Sequence, residues 1–131
     1  MTVIDASAYV EALTAATPLG EWSRSQLEGR APFHAPEMMP AEVLSALRRV
    51  VAGGRVRHDV VRQAVLAVRD SRMHLHPLRP FVDRVWELRT TVTVYDAWYV
   101  ALAERLDTEL VTTDARLAGA PGPRCRIVAP A

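Results

Sequence analysis

The sequence contains no lysine; all 16 of its basic residues are arginine. The pattern fits codon bias in a GC-rich genome, yet it also excludes chemistry. Without Lys there is no Walker-type phosphate loop and no Schiff-base catalysis, and a phosphate-switch receiver domain loses its usual lysine. No Gly-x-Gly-x-x-Gly and no Gly-x-Ser-x-Gly occurs, so dinucleotide binding and a nucleophile-elbow hydrolase lose their signals. The single cysteine, Cys125, rules out an intrachain disulfide and a Cys-rich zinc site. No apolar run approaches the ~18 residues of a membrane-spanning helix. The N-terminus shows no basic stretch followed by a long apolar segment. These absences lead us to expect a cytoplasmic protein with no membrane association.

What is present suits one domain over residues 1–131, half hydrophobic and 24% charged. The charges are uneven. Residues 1–47 hold two Arg against six acids, residues 48–72 hold seven Arg against two acids, and the remainder balances. An acidic first third beside a basic middle can present phosphate-binding surface next to a carboxylate site, or only a solvated helical face.

Short apolar runs alternate with amphipathic stretches. Strands are expected at Met1–Ile4, Phe33–Ala35, Met73–Leu78, Glu109–Thr112 and Arg126–Val128. Helices are expected at Ala6–Ala16, Leu19–Leu27, from Pro40 to about Ala52, Asp59–Ser71 with Asp59 as N-cap, Pro80–Arg89 and Asp96–Leu106, with a helical turn ending at Leu117. Val43, Leu44, Leu47, Val50 and Val51 form a core stripe on one helix, and Val60, Val61, Ala64, Val65 and Val68 form another. Thr91–Tyr95 has strand propensity but is short enough to be a connection. The alternation predicts an α/β fold with a mostly parallel sheet of about five short strands, covered by helices on both faces.

In such sheets ligands bind at the carboxyl ends of the strands. Asp5 follows the first strand, Asp114 follows the Leu110–Thr112 run, and Asp96 opens a helix. Each can be only an N-cap, worth about 1 kcal/mol. Glu42 lies off the core stripe of its helix, with Ser45, Ala46 and Arg49 as same-face neighbours; it is either a dipole-favoured N-terminal acid or a carboxylate aimed over the strand ends. Four carboxylates drawn together repel unless compensated. Magnesium does so with oxygen ligands and retained waters, so an acidic cluster beside Arg-rich surface suits phosphodiester hydrolysis.

Four blocks carry a resemblance: Val3-Ile4-Asp5-Ala6-Ser7-Ala8, Ala41-Glu42-Val43-Leu44-Ser45-Ala46-Leu47-Arg48-Arg49, Tyr95-Asp96-Ala97-Trp98-Tyr99-Val100-Ala101-Leu102-Ala103-Glu104 and Leu110-Val111-Thr112-Thr113-Asp114. In this order and spacing the chain resembles a PIN-domain ribonuclease of the VapC toxin type over nearly its whole length. The resemblance implies a three-layer α/β/α sandwich. It also implies an endoribonuclease dependent on Mg²⁺, with Mn²⁺ as a substitute, that cleaves structured RNA such as tRNA or rRNA. Water would attack phosphorus directly, leaving 5′-phosphate and 3′-hydroxyl ends. Asp5, Glu42, Asp96 and Asp114 match the acidic quartet, with Asp5 and Asp96 as first ligands and Glu42 and Asp114 completing the metal site. Thr112 and Ser7 would support it, and Arg48, Arg49, Arg55 and Arg57 are phosphate-contact candidates. A VapB-like antitoxin covering the active groove and a homodimer are the implied partners.

Two other functions remain in view at this level. One is an inert α/β interaction module whose aspartates cap helices. The other is a haloacid-dehalogenase-like phosphatase, which normally has Asp-x-Asp where this chain has Asp5-Ala6-Ser7. His74 and His76 share a strand face but number only two, so a structural or solvent-facing role is expected. Cys125 reads as a small buried or edge residue, Met38-Met39 as core, and Trp22, Trp86 and Trp98 as core or interface.

Overall fold

Five short strands, all parallel, define the architecture. The computed structural model describes all 131 residues. The elements are β1 (Thr2–Ile4), α1 (Ala6–Thr14), α2 (Pro18–Leu27), β2 (Phe33–Pro36), α3 (Met39–Gly53), α4 (His58–Asp70), β3 (His74–His76), a 3-10 turn (Arg79–Phe81), α5 (Val82–Leu88), α6 (Val94–Arg105), β4 (Leu110–Val111), α7 (Ala115–Gly119) and β5 (Ile127–Val128). The sheet order is β3-β2-β1-β4-β5. Its centre is β1, where Val3 pairs with His34 of β2 and with Leu110 of β4. All three β1 residues are buried, as expected of a parallel strand covered on both faces. Helices α1 to α4 pack on one another, while α5 packs on α6, which lies against β1, β2 and β4. The result is the expected α/β fold with a five-stranded, entirely parallel sheet.

Helix α6 is apolar nearly all round, with Ala97 through Ala103 buried without a break. A helix of that kind belongs in the interior. Parallel connections also fix its direction. A helix that feeds a strand runs antiparallel to it, so α6 begins at the end of the sheet where the strands finish. Helix α3 leaves β2 and begins at the same end.

The structure corrects several local expectations. Asp59 is not an N-cap; Arg57 holds that position, and Asp59 instead pairs with Arg57 at 3.0 Å in solvent. Leu44, Val51 and Val65 lie outside the core, each more than 40% exposed. Helices α3 and α4 pack through a narrower face, led by Val43, Leu47, Val61 and Ala64. The 80–89 stretch splits into the 3-10 turn and α5. Thr91–Tyr95 is not a strand, because Thr93 caps α6 by accepting a hydrogen bond from the Asp96 N–H. Asp96 is therefore inside the helix rather than at its cap. Trp98 is buried and Trp22 packs against the core, but Trp86 is 62% exposed.

Gly20 makes the closest packing contact. Helix α2 crosses the end of α1 so closely that a Cβ at Gly20 would stand 1.9 Å from the Ala15 carbonyl oxygen. The Arg24 guanidinium secures the same corner, donating to the carbonyls of Ala12 (3.1 Å) and Ala15 (2.8 Å), two acceptors left unpaired at a helix end.

Candidate active site

The site follows from strand pairing. Because β1 and β4 are parallel neighbours, the residues just after each emerge side by side, and the Asp5 N–H donates to the Val111 carbonyl at 3.0 Å. Asp5 is 5% exposed and Thr112 fully buried. Asp5 Oδ1 accepts from Ser7 Oγ at 2.6 Å and from the Ala8 N–H at 3.0 Å. Its Oδ2 accepts from Thr112 Oγ1. A carboxylate has about four lone-pair directions, so one stays open. Thr112 Oγ1 in turn accepts from the Asp114 N–H at 3.0 Å, and Ser7 Oγ from the Thr113 N–H at 3.3 Å. Asp114 caps α7 through the Arg116 N–H at 2.9 Å.

Asp96 and Glu42 arrive from the starts of α6 and α3. Neither carboxylate caps its own helix: Met38 precedes α3 without a side-chain cap, and Thr93 serves α6. The Glu42 carboxylate accepts at Oε1 from the Tyr99 hydroxyl at 2.6 Å. All four acids predicted from the sequence thus share one electrostatic neighbourhood: the charge of Asp96 acts on Asp5, those of Asp5 and Asp96 act on Glu42, and that of Asp114 acts on Asp96.

Burial is the largest effect raising the Asp5 carboxyl above its ordinary value; its three hydrogen bonds pull back, and Asp96 raises it further. Glu42 is raised by burial first and then by Asp5 and Asp96, against the Tyr99 bond. Asp96 is raised by burial and by Asp114, with Thr93 and Arg116 opposing. Arg116 is the cation whose charge lowers the Asp96 pKa, and its side chain is 95% exposed and 3.6 Å from Asp114. The charge of Asp96 is therefore offset only by an exposed guanidinium. Carboxylate oxygens are the hard donors that Mg²⁺ and Mn²⁺ accept, so the donor set fits such an ion. No three His, Cys, Asp or Glu side chains are drawn up to metal-holding geometry; Mg²⁺ often binds through only one or two carboxylates and keeps several waters.

A groove of about 1010 Å³ opens beside the acids, from Ser7 and Thr113 along α1 to α3 and the start of α4. Val10, Val50, Val56 and Val60 supply apolar lining, and Arg49, Arg55 and Arg57 line it as well. Arg48, also expected at a phosphate-binding surface, is exposed but does not line the groove.

A second cluster lies on the sheet edge. His34 of β2 stacks on His74 of β3 with centroids 4.7 Å apart, and its Nδ1 meets His76 Nε2 at 2.8 Å. The two histidines read from the sequence are thus joined by a third, brought by the pairing of β2 with β3. Burial lowers the His34 pKa, as do His76, His74 and the chain's amino terminus; burial and His74 lower that of His76. The unfolded chain, with His near 6.5, takes up protons before the folded one. The contribution to stability is therefore intact above about pH 6.5 and erodes as pH falls below it. The melting-temperature gap between wild type and His34→Gln is expected to be wider at pH 8 than at pH 5.5; an unchanged gap in thermal melts would remove this role for the cluster. Cys125 is half-buried before β5, its thiol pushed up to about 11 by burial, which makes it a poor nucleophile.

Comparison with known proteins places this architecture. The PIN domain family model matches residues 2–122. The chain belongs to the PIN-domain family. Within it, the chain is 40% identical to ribonuclease VapC1 of Mycobacterium tuberculosis over 126 residues, covering 95% of this chain and 94% of that protein. It is 39% identical to ribonuclease VapC12 of the same organism over 127 residues, 97% of each chain. These likenesses put it among the VapC ribonucleases. The crystal structure of M. tuberculosis VapC20, described as a sarcin-ricin loop cleaving toxin, superposes with a TM-score of 0.69 at 14% identity, covering 91% of this chain and 94% of that one. A Pyrobaculum aerophilum protein superposes at 0.67 with 22% identity, covering 96% and 81%. Those two likenesses establish the PIN fold. Family membership leaves the dehalogenase-like phosphatase without support. No helix is long and apolar enough to cross a membrane.

The sequence reading missed two partners of its own candidates. Tyr99 stands three residues after Asp96 and so on the same helical face, which was a usable signal. His34 had none, because only strand register brings it to His74 and His76.

Proposed function

We propose that this VapC-family PIN protein is a Mg²⁺- or Mn²⁺-dependent endoribonuclease toxin of a type II toxin–antitoxin pair, acting on structured RNA such as tRNA or rRNA in the cytoplasm. The observation that carries the reading is the placement of four carboxylates at one end of the sheet, Asp5 and Asp114 just after β1 and β4 and Glu42 and Asp96 in the first turns of α3 and α6. Asp5 and Asp96 are the first ligands, with Glu42 and Asp114 completing the set. An ion bound there supplies Lewis-acid activation of water and stabilisation of phosphoryl charge. Ser7 and Thr112 fix the Asp5 carboxylate and leave one of its lone pairs free. Arg49, Arg55 and Arg57 offer positive charge to the RNA backbone along the groove.

A VapB-like antitoxin is the partner we assign to that groove, whose valine lining and arginines suit a segment carrying both apolar and acidic side chains. Trp86 and Tyr95, 62% and 66% exposed, are apolar surface available to a second copy in a homodimer.

One observation favours the inert-module alternative: Asp5 and Asp114 do cap α1 and α7. Capping does not account for Glu42 or Asp96, which cap nothing and gain no stability from being crowded together. The deciding experiment is ion removal. Protein stripped with EDTA is expected to leave RNA intact, and added Mg²⁺ or Mn²⁺ to restore cleavage with 5′-phosphate ends, read by end-sequencing. Full cleavage in excess EDTA would sink the proposal.

A further inference from the structure

A carboxylate on a three-torsion side chain, placed near one buried and one half-buried carboxylate, has every electrostatic reason to swing away. Glu42 is that side chain, in the first turn of α3, with the charges of Asp5 and Asp96 acting on it. What opposes the swing is one bond, from the Tyr99 hydroxyl to Glu42 Oε1 at 2.6 Å. Tyr99 is 2% exposed, so its ring has no room to follow a departing carboxylate. It also lies one helical turn beyond Asp96 on α6. A single rigid helix thus carries one acid of the site and the donor that restrains another.

We propose that Tyr99 is a positioning residue for the metal centre: its hydroxyl holds Glu42 by one oxygen and leaves the other free for an ion. The inference rests on the reading of the four acids as a cation site. Burial, and then the hydrogen bond to Glu42 and its charge, keep the phenol protonated far above its ordinary range, so Tyr99 acts as a donor and not as a base. Its influence is confined to ion binding, because it reaches the reacting groups only through Glu42. Partners of this kind around metal ligands typically change affinity by about 10–100-fold.

The test is Tyr99→Phe, which removes an oxygen and leaves the ring in its packing. Mn²⁺ binding to the RNA-free protein is measured by electron paramagnetic resonance, with a thermal melt as the folding control. Mn²⁺ affinity is expected to fall at least about tenfold, and cleavage at saturating Mn²⁺ to recover most of its rate. In a Glu42→Gln background, adding Tyr99→Phe is expected to cost no further affinity, because the restrained carboxylate is already gone. Unchanged Mn²⁺ affinity in Tyr99→Phe, or a further loss in the double variant equal to that in the single one, overturns the assignment. Asp96→Asn separates the two levels. If it weakens Mn²⁺ binding while Tyr99→Phe does not, only the role of Tyr99 falls. If wild type binds no Mn²⁺, the cation site falls and Tyr99 with it.

Discussion

Asp96→Asn is expected to reduce ion-supported RNA cleavage by at least about 1,000-fold, equivalent to roughly 4 kcal/mol of barrier, while the ion-free protein melts at a higher temperature than wild type. The two effects share one cause. Asp96 is half-buried near Asp114 and Asp5, and both burial and charge raise its pKa. In the folded, ion-free protein near neutral pH, its negative charge is less favourable than in the unfolded chain, where the carboxyl ionises near 4. The group therefore destabilises the fold above that range, and the cost fades as pH falls toward 4 and the folded protein takes up its proton first. Asn keeps the shape and removes the charge. Adding Mg²⁺ is expected to raise the wild-type melting temperature, since a ligand stabilises the state that binds it, and to leave the variant nearly unmoved. Retention of cleavage by a well-folded Asp96→Asn protein would end the catalytic reading. Stability sacrificed at a working site is a common pattern; a purely structural Asp96 would give the opposite sign on melting.

Gly20→Ala is expected to destabilise the protein by about 3 kcal/mol or more, the upper range for overpacking, and to lower the melting temperature by roughly 10 °C. Alanine ordinarily favours a helix over glycine by about 1 kcal/mol, so propensity alone predicts stabilisation. Packing decides otherwise. The added methyl would lie 1.9 Å from the Ala15 carbonyl oxygen and 2.9 Å from the Ala15 Cβ, and both belong to the end of α1, which cannot retreat without loosening its contact with α2 and the Arg24 bonds. Gly53→Ala is the control: nothing stands within 4 Å of its Cβ position, and a modest gain is expected. Thermal and denaturant melts that rank the two variants alike would show that the α1–α2 corner is free to adjust.

Hydrophobic periodicity was enough to locate the elements, because a buried parallel strand and an amphipathic helix leave different spacings in the chain. It misjudged detail where a helix is only half covered. Leu44 and Val51 continue the stripe of α3 but face solvent, since the width of a buried face depends on what packs there. Caps were uneven for a similar reason. Asp5 and Asp114 fill theirs, whereas Thr93 rather than Asp96 begins α6. A hydroxyl three residues earlier is an equally good acceptor for the first turn, and the apolar run alone does not choose between them.

The chain by itself determined the alternation of strand and helix, the all-Arg basic complement, and the four acids in their blocks, because these depend on residue type and local spacing. Only tertiary structure decided that Tyr99 meets Glu42, that His34 joins His74 and His76, and that Gly20 admits no side chain. Each of these contacts joins separate elements, and their distances are set by strand register and helix crossing, quantities that no local stretch of sequence encodes.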